Sequence, residues 1–343
     1  MNILVTGATG FLGNHIVGKL LDRGGDEVRA LVREGSDAAR LERQGARVAR
    51  GDLLDPEALA RGLRGVKGVF HVAAKVGDWG PREEFERVNA DGTRTLLEAA
   101  ARAGVERFVH VSSVAVYGVR CAPRILNLDP FTERAPLAQN LLPDDHYSRT
   151  KIEAERLALD YHRRGALSVR VIRPAWIYGP GDRTSLPRLV KFLRKHSGLL
   201  IGKGDNRLSL TYAPNVADAA LLAMDQDAAA GECFNVSNDG EITQAEYLNK
   251  IGGLLGLKPV CQSVPYGVAY GGAALLERAA RLMRRETPPT ITRYGVSLIG
   301  NDIVFSHAKA TKVLGWSPKV GYDEGINAAL DWYFCEETGC CAG

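Results

Sequence analysis

Long apolar runs, an excess of charge of one sign and metal-binding cysteine spacings are all missing from this sequence of 343 residues. No stretch approaches the roughly 20 consecutive apolar residues of a membrane-spanning helix. Lysine and arginine total 44 against 40 acidic residues, so the net charge of +4 forms no basic stripe and we expect no nucleic-acid partner. The six cysteines lack zinc-site spacing, so no metal is expected. The first predicted strand begins at residue 2, which leaves no room for a signal peptide and favours a cytoplasmic location.

The first thirteen residues are typical of a buried strand, a glycine turn and the start of a helix. Residues 3–5 are apolar, Gly7, Gly10 and Gly13 follow at every third position, and apolar residues then recur with helical spacing. This order directs backbone N–H groups and a helix N-terminus to one point, which suits a pyrophosphate. A side chain at Gly7 or Gly10 would hold phosphates away, and one at Gly13 would push the helix off the strand. The segment therefore predicts a dinucleotide site.

Tyr147 and Lys151 form a second candidate site. Both lie in a predicted helix that Asp144 or Asp145 can cap, and their spacing of four residues places them on one helical face. A tyrosine titrates near pKa ~10, and a neighbouring ammonium group stabilises the phenolate. Such a phenol can exchange a proton with an alcohol oxygen near physiological pH.

Two serines follow the fifth predicted strand, 107–111, and either Ser112 or Ser113 is a candidate hydrogen-bond donor to a carbonyl. With the glycine turn and Tyr-x-x-x-Lys, the motifs Ser-Ser-x-x-Val-Tyr-Gly and Arg-Pro-x-x-Ile-Tyr-Gly-Pro-Gly-Asp resemble the extended branch of the short-chain dehydrogenase/reductase superfamily. The resemblance places the carbonyl-orienting role on Ser113 rather than Ser112. It also implies that Tyr147 is the general acid/base, while Lys151 shifts its pKa and holds the nicotinamide ribose.

The fold implied by the resemblance is α/β, a Rossmann doubly wound parallel sheet with helices on both faces and a smaller C-terminal substrate lobe. We assign the NAD(P)-binding domain to residues 1–180, with returning strands near 207–238. The substrate lobe is predicted at 181–206 and 239–335, and a flexible tail at 336–343.

The cofactor is predicted to be NADP, with NAD as the alternative. The second predicted strand ends at Arg33, with Ser36 nearby, and an arginine there can pair with a ribose 2′-phosphate, although Glu34 is a competing acid beside it. The family's adenine-binding aspartate corresponds to Asp52. The full set of cofactor positions implied by the resemblance is Gly7, Thr9, Gly10, Phe11, Leu12, Gly13, Arg33, Asp52, Leu53, Ala73, Ala74, Lys75, Tyr147, Lys151, Pro174 and Ile177.

The substrate is predicted to be hydrophobic, with Trp79, Ser113 and Trp176 as its contacts. Trp79 lies on a glycine-rich loop at the ligand edge of the sheet, although a tryptophan there that only packs on a neighbour is equally consistent. Sugar-nucleotide epimerases usually carry Phe-Asn near the sixth strand, where this chain has Pro174 and Ala175, which offer no side-chain amide. Sugar epimerases also often carry an aspartate in the segment that corresponds to residues 207–212, and this chain has none there, which again argues against a nucleotide-sugar substrate.

The C-terminal stretch 288–332 resembles 3β-hydroxysteroid dehydrogenases, decarboxylating sterol-4-carboxylate dehydrogenases and 2-alkyl-3-oxoalkanoate reductases, and the loop 71–80 resembles the last of these most. The predicted reaction is reversible hydride transfer between NADP(H) and a secondary alcohol or ketone of a steroid-like or long-chain β-keto acid substrate. A sugar-nucleotide epimerase or dehydratase is the alternative, and a non-catalytic dinucleotide sensor is a third. By analogy we expect a homodimer through helices near 82–102 and 145–164.

An apolar stretch at 264–276 is followed by Arg278, Arg281, Arg284 and Arg285. This pattern is consistent with a basic amphipathic helix in peripheral contact with a membrane surface. We favour the other interpretation, in which the apolar side of the helix covers the substrate pocket.

Overall fold

The structure is a computed structural model, and it describes residues 1–118, 130–139, 141–196, 198–237 and 241–339. The strands are β1 (Asn2–Thr6), β2 (Glu27–Val32), β3 (Arg47–Arg50), β4 (Gly68–His71), β5 (Arg107–Val111), β6 (Ser168–Pro174), β7 (Trp176–Tyr178), β8 (Leu200–Ile201), β9 (Leu210–Tyr212), β10 (Cys233–Val236) and β11 (Ser263–Val264). The helices are α1 (Phe11–Arg23), α2 (Ala39–Arg43), α3 (Pro56–Gly62), α4 (Arg82–Phe85), α5 (Gly92–Arg102), α6 (His146–Arg163), α7 (Ser185–His196), α8 (Ala213–Asp225), α9 (Gln244–Leu254), α10 (Tyr266–Leu282), α11 (Arg293–Gly300), α12 (Ala308–Leu314) and α13 (Tyr322–Thr338).

Seven strands of the described chain form one parallel sheet in the order β3-β2-β1-β4-β5-β6-β10. Parallel neighbours need crossover connections, and helices supply them on both faces of the sheet. The alternation of side chains along β1 shows how both faces are buried: Ile3 and Val5 join one core cluster with α1 and α8, while Leu4 joins the other with α3, α5 and α6. The predicted doubly wound α/β fold is therefore confirmed.

A third apolar cluster lies outside the large sheet. It brings α7, α9 and α13 together around the short parallel pair of β7 and β9. A second short pair, β8 with β11, adds to this part of the molecule.

Two details of the predicted organisation differ from the structure. The segment predicted to return to the sheet at 207–212 becomes β9, which pairs with β7 instead, whereas β10 does join the large sheet beside β6. The tail predicted at 336–343 begins inside a helix, because α13 continues to Thr338 and ends at a left-handed Gly339. Residues 340–343 lie outside the described residues.

Candidate active site

The sheet order reverses between β1 and β4, and in open parallel sheets a ligand crevice forms at the carboxyl ends of such strands. Gly7 follows β1 there with a φ of +68°, and a Cβ on it would lie 2.7 Å from the backbone nitrogen of Ala73, after β4. Glycine is thus required by its backbone conformation and by the adjacent chain. The sequence argument gave one reason for glycine here, that a side chain would hold phosphates away. The structure adds the positive φ and the close approach of Ala73.

The N-terminus of α1 opens into this crevice. Gly10 is its N-cap and no side chain caps the helix, so the first-turn N–H groups are directed at the space where the predicted pyrophosphate would lie. A Cβ on Gly13 would lie 2.1 Å from the carbonyl oxygen of Gly7, so only glycine lets the helix lie this close to the turn. Phe11 and Leu12 follow in the first turn and Thr9 is exposed before it. These residues fit a dinucleotide pyrophosphate.

One contact at this helix was not anticipated. The imidazole of His15, one turn into α1, lies 2.7 Å from the carbonyl oxygen of Pro180, and the ring of Phe11 lies beneath Gly181. Burial lowers the pKa of His15, and the bond to Pro180 offsets part of that effect. The loop after β7 is thereby tied to the helix that would hold the phosphates. A histidine four residues after Phe11 gave no sequence signal for this contact.

The predicted adenosine-side residues lie at the ends of β2 and β3. Arg33 is exposed, and the guanidinium of Arg50 donates to the carbonyl of Arg33 at 3.3 Å and to that of Ser36 at 2.8 Å, which shapes the loop between them. Asp52 is half-buried and accepts a bond from the N–H of Leu54 at 3.0 Å, next to the buried Leu53. The structure therefore groups these residues at the same crevice edge.

The loop after β4 is held to α6 through Asn89. This amide accepts from the N–H of Lys75 at 2.7 Å and donates to the carbonyl of Lys75 at 3.0 Å and to Thr150 at 3.0 Å. Ala73 and Ala74 precede it, both half-buried. The ammonium of Lys75 pairs with Glu84 at 2.5 Å. The backbone of this loop is therefore fixed relative to α6, which carries Tyr147 and Lys151.

The predicted catalytic pair lies on the inner face of α6. Asp145 caps the helix by accepting from the N–H of Ser148 at 3.0 Å, so of the two aspartates considered it is the second that caps. Tyr147 is buried against Phe85 and Ala115. Lys151 is buried one turn further along, and its ammonium donates to the carbonyl of Val111, the last residue of β5, at 2.6 Å. The helix thus presents both side chains toward the carboxyl end of the sheet.

Burial controls the electrostatics around Lys151. It lowers the pKa of Lys151 to about 8, although the Glu155 carboxylate opposes part of the shift. Burial, with a smaller contribution from the Lys151 charge, lowers the pKa of His71 to about 3, and the same causes hold that of His110 well below its usual range. Both imidazoles are therefore neutral at physiological pH. The Nδ1 atom of His71 forms a hydrogen bond with the hydroxyl of Thr6 at 2.8 Å.

The two serines after β5 point to different partners. The hydroxyl of Ser112 is buried and donates to Glu155 at 2.7 Å. Ser113 is half-buried and caps the short helical turn Val114–Tyr117, where its oxygen accepts from the N–H of Ala115 at 3.1 Å. Because that oxygen is an acceptor in this bond, its own hydrogen is available for another acceptor, such as a carbonyl.

A buried polar network behind Lys151 was missed by sequence reasoning. Glu155 forms an ion pair with Arg173, whose guanidinium also donates to the hydroxyl of Tyr117 at 2.8 Å, and that hydroxyl donates to Asn235 at 2.6 Å. Burial lowers the pKa of Arg173, but the bonds and charge of Glu155 outweigh it, so the net shift is upward. The available signal was the spacing: Glu155 follows Lys151 by one helical turn, and the arginine and tyrosine lie inside the quoted motifs.

The two predicted substrate tryptophans lie in different surroundings. The indole N–H of Trp79 donates to the carbonyl of Arg285 at 3.1 Å, and the guanidinium of Arg281 lies 5.4 Å from its ring centre. Trp176 contacts Tyr247 edge-on, with ring centres 5.9 Å apart, in the third apolar cluster. Its packing role is therefore evident, while its role in substrate binding stays a prediction. Pro174 ends β6 in the interior, and Ile177 packs against the first core cluster.

Comparison with known proteins identifies the family of this chain. A model described as the NAD dependent epimerase/dehydratase family matches residues 3–237. The 2-alkyl-3-oxoalkanoate reductase of Stenotrophomonas maltophilia (strain K279a) is 31% identical over 95% of this chain and 97% of its own length. The decarboxylating sterol-4-alpha-carboxylate 3-dehydrogenase of Mus musculus is 34% identical over 95% of this chain and 89% of its own length. A solved structure of MoeE5 with UDP-glucose and NAD superimposes with a TM-score of 0.74 at 28% identity, covering 98% of this chain and all of that one.

These matches extend over the glycine turn, the serine pair and the Tyr147–Lys151 helix, which the structure brings to one edge of the sheet. The resemblance inferred from the motifs is thereby confirmed. The chain belongs to the NAD dependent epimerase/dehydratase family and is an NAD(P)-dependent oxidoreductase of the extended short-chain dehydrogenase/reductase type.

Proposed function

We propose that this enzyme transfers hydride between NADP(H) and the ketone or secondary alcohol of a hydrophobic substrate, a long-chain β-keto acid or a steroid-like acid. The observation that carries the proposal is the buried pair on α6: Tyr147 is enclosed by Phe85 and Ala115, and Lys151 lies one turn away with its ammonium on the carbonyl of Val111. When bound, the nicotinamide would supply or accept the hydride.

The chain's own residues would handle the proton. In ketone reduction, Tyr147 donates its phenolic proton to the substrate oxygen, and in alcohol oxidation it removes that proton. The ammonium of Lys151 favours the phenolate form of Tyr147, since an opposite charge nearby stabilises the ionised group. Ser113 donates a hydrogen bond to the substrate oxygen and stabilises its developing negative charge. Phe85 and Ala115 pack against the phenol on this side.

The apolar character of the predicted substrate side supports the substrate class. Pro174 and Ala175 offer no side-chain donor at the end of β6, and Trp79 presents an indole beside the ligand edge. The relatives that match along 95% of this chain are named for 2-alkyl-3-oxoalkanoates and sterol-4-alpha-carboxylates. Both names describe acids with an oxygen function at the β-carbon on an apolar body. The lobe formed by residues 181–206 and 239–335 is proposed to enclose that body.

NADP is proposed as the preferred cofactor because Arg33 is exposed at the end of β2, where Arg50 holds the loop. A guanidinium can bind a 2′-phosphate in two parallel bonds. A charge-assisted bond contributes about 1.5–3 kcal/mol, so we expect Arg33→Ala to lower kcat/KM for NADPH by roughly 10- to 100-fold and to leave NADH nearly unchanged. Equal losses with both cofactors would refute the assignment of Arg33.

A sugar-nucleotide epimerase or dehydratase is the second candidate, because the MoeE5 structure that superimposes on nearly the whole chain was solved with UDP-glucose and NAD. Such an enzyme returns the hydride to its own substrate and consumes no cofactor. Net oxidation of NADPH therefore separates the two candidates.

The test is a panel of 2-alkyl-3-oxoalkanoates, 3-ketosteroids and UDP-sugars assayed for NADPH and NADH oxidation. We expect oxidation with at least one of the first two classes and none with UDP-sugars. Tyr147→Phe should lower the rate by roughly 100-fold or more while NADPH still binds, since it removes the proton donor and keeps the ring. Turnover of a UDP-sugar without cofactor consumption, or an unaffected Tyr147→Phe variant, would overturn the proposal.

A further inference from the structure

The large apolar side chains of α10 face solvent. Four apolar residues of this helix and Met283 directly after it are exposed: Val268 (64%), Leu275 (71%), Leu276 (48%), Leu282 (79%) and Met283 (65%). The side that packs inward carries Ala273, Glu277 and Ala280. The expectation that the apolar side of this helix covers the substrate pocket is therefore not met.

The exposed side chains, here called the α10 stripe, form one continuous face. Val268, Leu275 and Leu282 are seven residues apart, which keeps them within about 40° of one another on a helix with 3.6 residues per turn. Leu276 and Met283 repeat the same spacing beside them, and Gly272 and Ala279 fill the positions between them on this face. The stripe thus runs the length of a helix of 17 residues without a charged side chain along its centre.

Basic residues border the α10 stripe. Arg278, Arg284 and Arg285 are exposed. Of the nearby acids, Glu286 is exposed, whereas Glu277 is buried and accepts bonds from the N–H and the guanidinium of Arg293 at 2.7 and 2.6 Å. The exposed charge around the stripe is therefore mainly positive, which opposes contact with a second copy of the same surface.

The same segment reaches the candidate active site. The carbonyl of Arg285 accepts from the indole of Trp79 at 3.1 Å, and Thr292 donates to Asp78 of the same loop at 2.5 Å. That loop follows β4 at the ligand edge of the sheet. The C-terminal end of the stripe, two residues before Arg285, therefore lies near this loop.

We propose that the α10 stripe docks on the surface of an anionic lipid bilayer, with its leucines among the acyl chains and its arginines at the headgroups. An apolar face bordered by arginine is complementary to such a surface in both polarity and charge. In the part of the chain that the structure describes, no helix is long and apolar enough to cross a membrane, so the contact is peripheral. Delivery of an apolar substrate from the bilayer is a consequence that rests on the proposed function, whereas the docking itself does not.

The test is co-sedimentation of the purified full chain with vesicles of phosphatidylcholine alone or with about 30 mol % phosphatidylglycerol, at about 0.1 and 0.5 M NaCl. We expect binding to the anionic vesicles that weakens at the higher salt. The double variant Leu275→Gln/Leu282→Gln should lose roughly tenfold or more of this binding, and Arg278→Gln/Arg284→Gln should lose its salt dependence.

Matched controls lie on other surfaces. Leu254→Gln replaces an exposed leucine of α9, and Arg43→Gln/Arg61→Gln removes two exposed arginines from α2 and α3. Both should bind vesicles as the unaltered chain does, and thermal unfolding of every variant checks its folding. Failure of the unaltered chain to bind either vesicle, or equal binding by Leu275→Gln/Leu282→Gln, overturns the proposal.

Two further outcomes separate the alternatives. Conversion of an oligomer to a monomer by Leu275→Gln/Leu282→Gln, measured by light scattering, would assign the stripe to a second copy and reject bilayer docking. Vesicle binding without NADPH oxidation on any acid of the substrate panel would reject the proposed function alone and leave the docking supported.

Discussion

Lys151 illustrates how much a single residue owes to its surroundings. A free lysine keeps its charge far above neutral pH, but here the ammonium is buried and donates to the carbonyl of Val111. Burial lowers its pKa, and the Glu155 carboxylate opposes only part of that shift. The resulting pKa of about 8 makes its charge sensitive to mildly alkaline pH. A buried ammonium also acts on a neighbouring phenol through a low dielectric, which strengthens its effect.

This shift predicts a pH dependence of stability. Between about pH 8 and the ordinary lysine value of about 10.5, the unfolded chain binds the Lys151 proton and the folded chain does not, so raising the pH favours folding. The free energy of unfolding should gain up to about 1.4 kcal/mol per pH unit in this window relative to Lys151→Met. Urea denaturation of both proteins without cofactor measures it, and parallel curves for the two would contradict the assignment.

At the scale of elements, the close packing of α1 on the glycine turn contributes to stability. We expect Gly13→Ala to destabilise the protein by about 1–3 kcal/mol and to weaken cofactor binding, because its Cβ would lie 2.1 Å from the carbonyl oxygen of Gly7. Gly18→Ala in the same helix is the control. A Cβ there meets nothing within 4 Å, so it should stabilise by about 0.5–1 kcal/mol through helix propensity. Calorimetry compares the two, and equal melting temperatures would argue against the packing explanation.

The Glu155–Arg173 pair joins α6 to β6 in the interior. Removing one partner leaves an unpaired buried charge, so Glu155→Gln should cost about 3–5 kcal/mol of unfolding free energy. The double variant Glu155→Met/Arg173→Met should recover at least half of that loss, since it buries no charge. Glu98→Gln breaks the exposed Glu98–Arg102 pair as a control and should cost less than about 1 kcal/mol. A double variant no more stable than Glu155→Gln would refute the ion-pair account.

At the scale of the whole molecule, α5 and α6 pack side by side on one face of the sheet, and an outer groove of about 590 Å³ runs along α6. Apolar Leu141 and Leu157 line this groove beside Glu153 and Arg156, which carry opposite charges. A surface with both signs of charge can complement a two-fold copy of itself, unlike the basic border of the α10 stripe.

We therefore expect a homodimer through this face, with twice the 37.1 kDa mass of one chain in light scattering. Arg156→Glu should shift the equilibrium to the monomer, because each copy then brings an extra negative charge to the shared face and the two copies repel each other. Arg156 is exposed, so the substitution leaves folding intact. Arg43→Glu, exposed on α2, is the control and should stay dimeric. A monomeric unaltered chain at micromolar concentration would exclude this prediction.

Local patterns were sufficient for most of the fold. Apolar runs located strands of the large sheet, and Asp145, one of the two candidate caps, caps α6 with its side chain. The glycine spacing located the turn before α1. These signals succeed because strand burial, capping and turn geometry depend on residues within a few positions of one another.

By itself, then, the sequence determined the α/β class, the dinucleotide turn and the spacing of Tyr147 and Lys151. Only the tertiary structure decided that Lys151 is buried against β5, that Glu155 pairs with Arg173, that β9 leaves the large sheet and that α10 turns its leucines to solvent. The reason is physical: burial and pairing depend on chain segments far apart in sequence, and a helical pattern defines an apolar face without saying what that face meets.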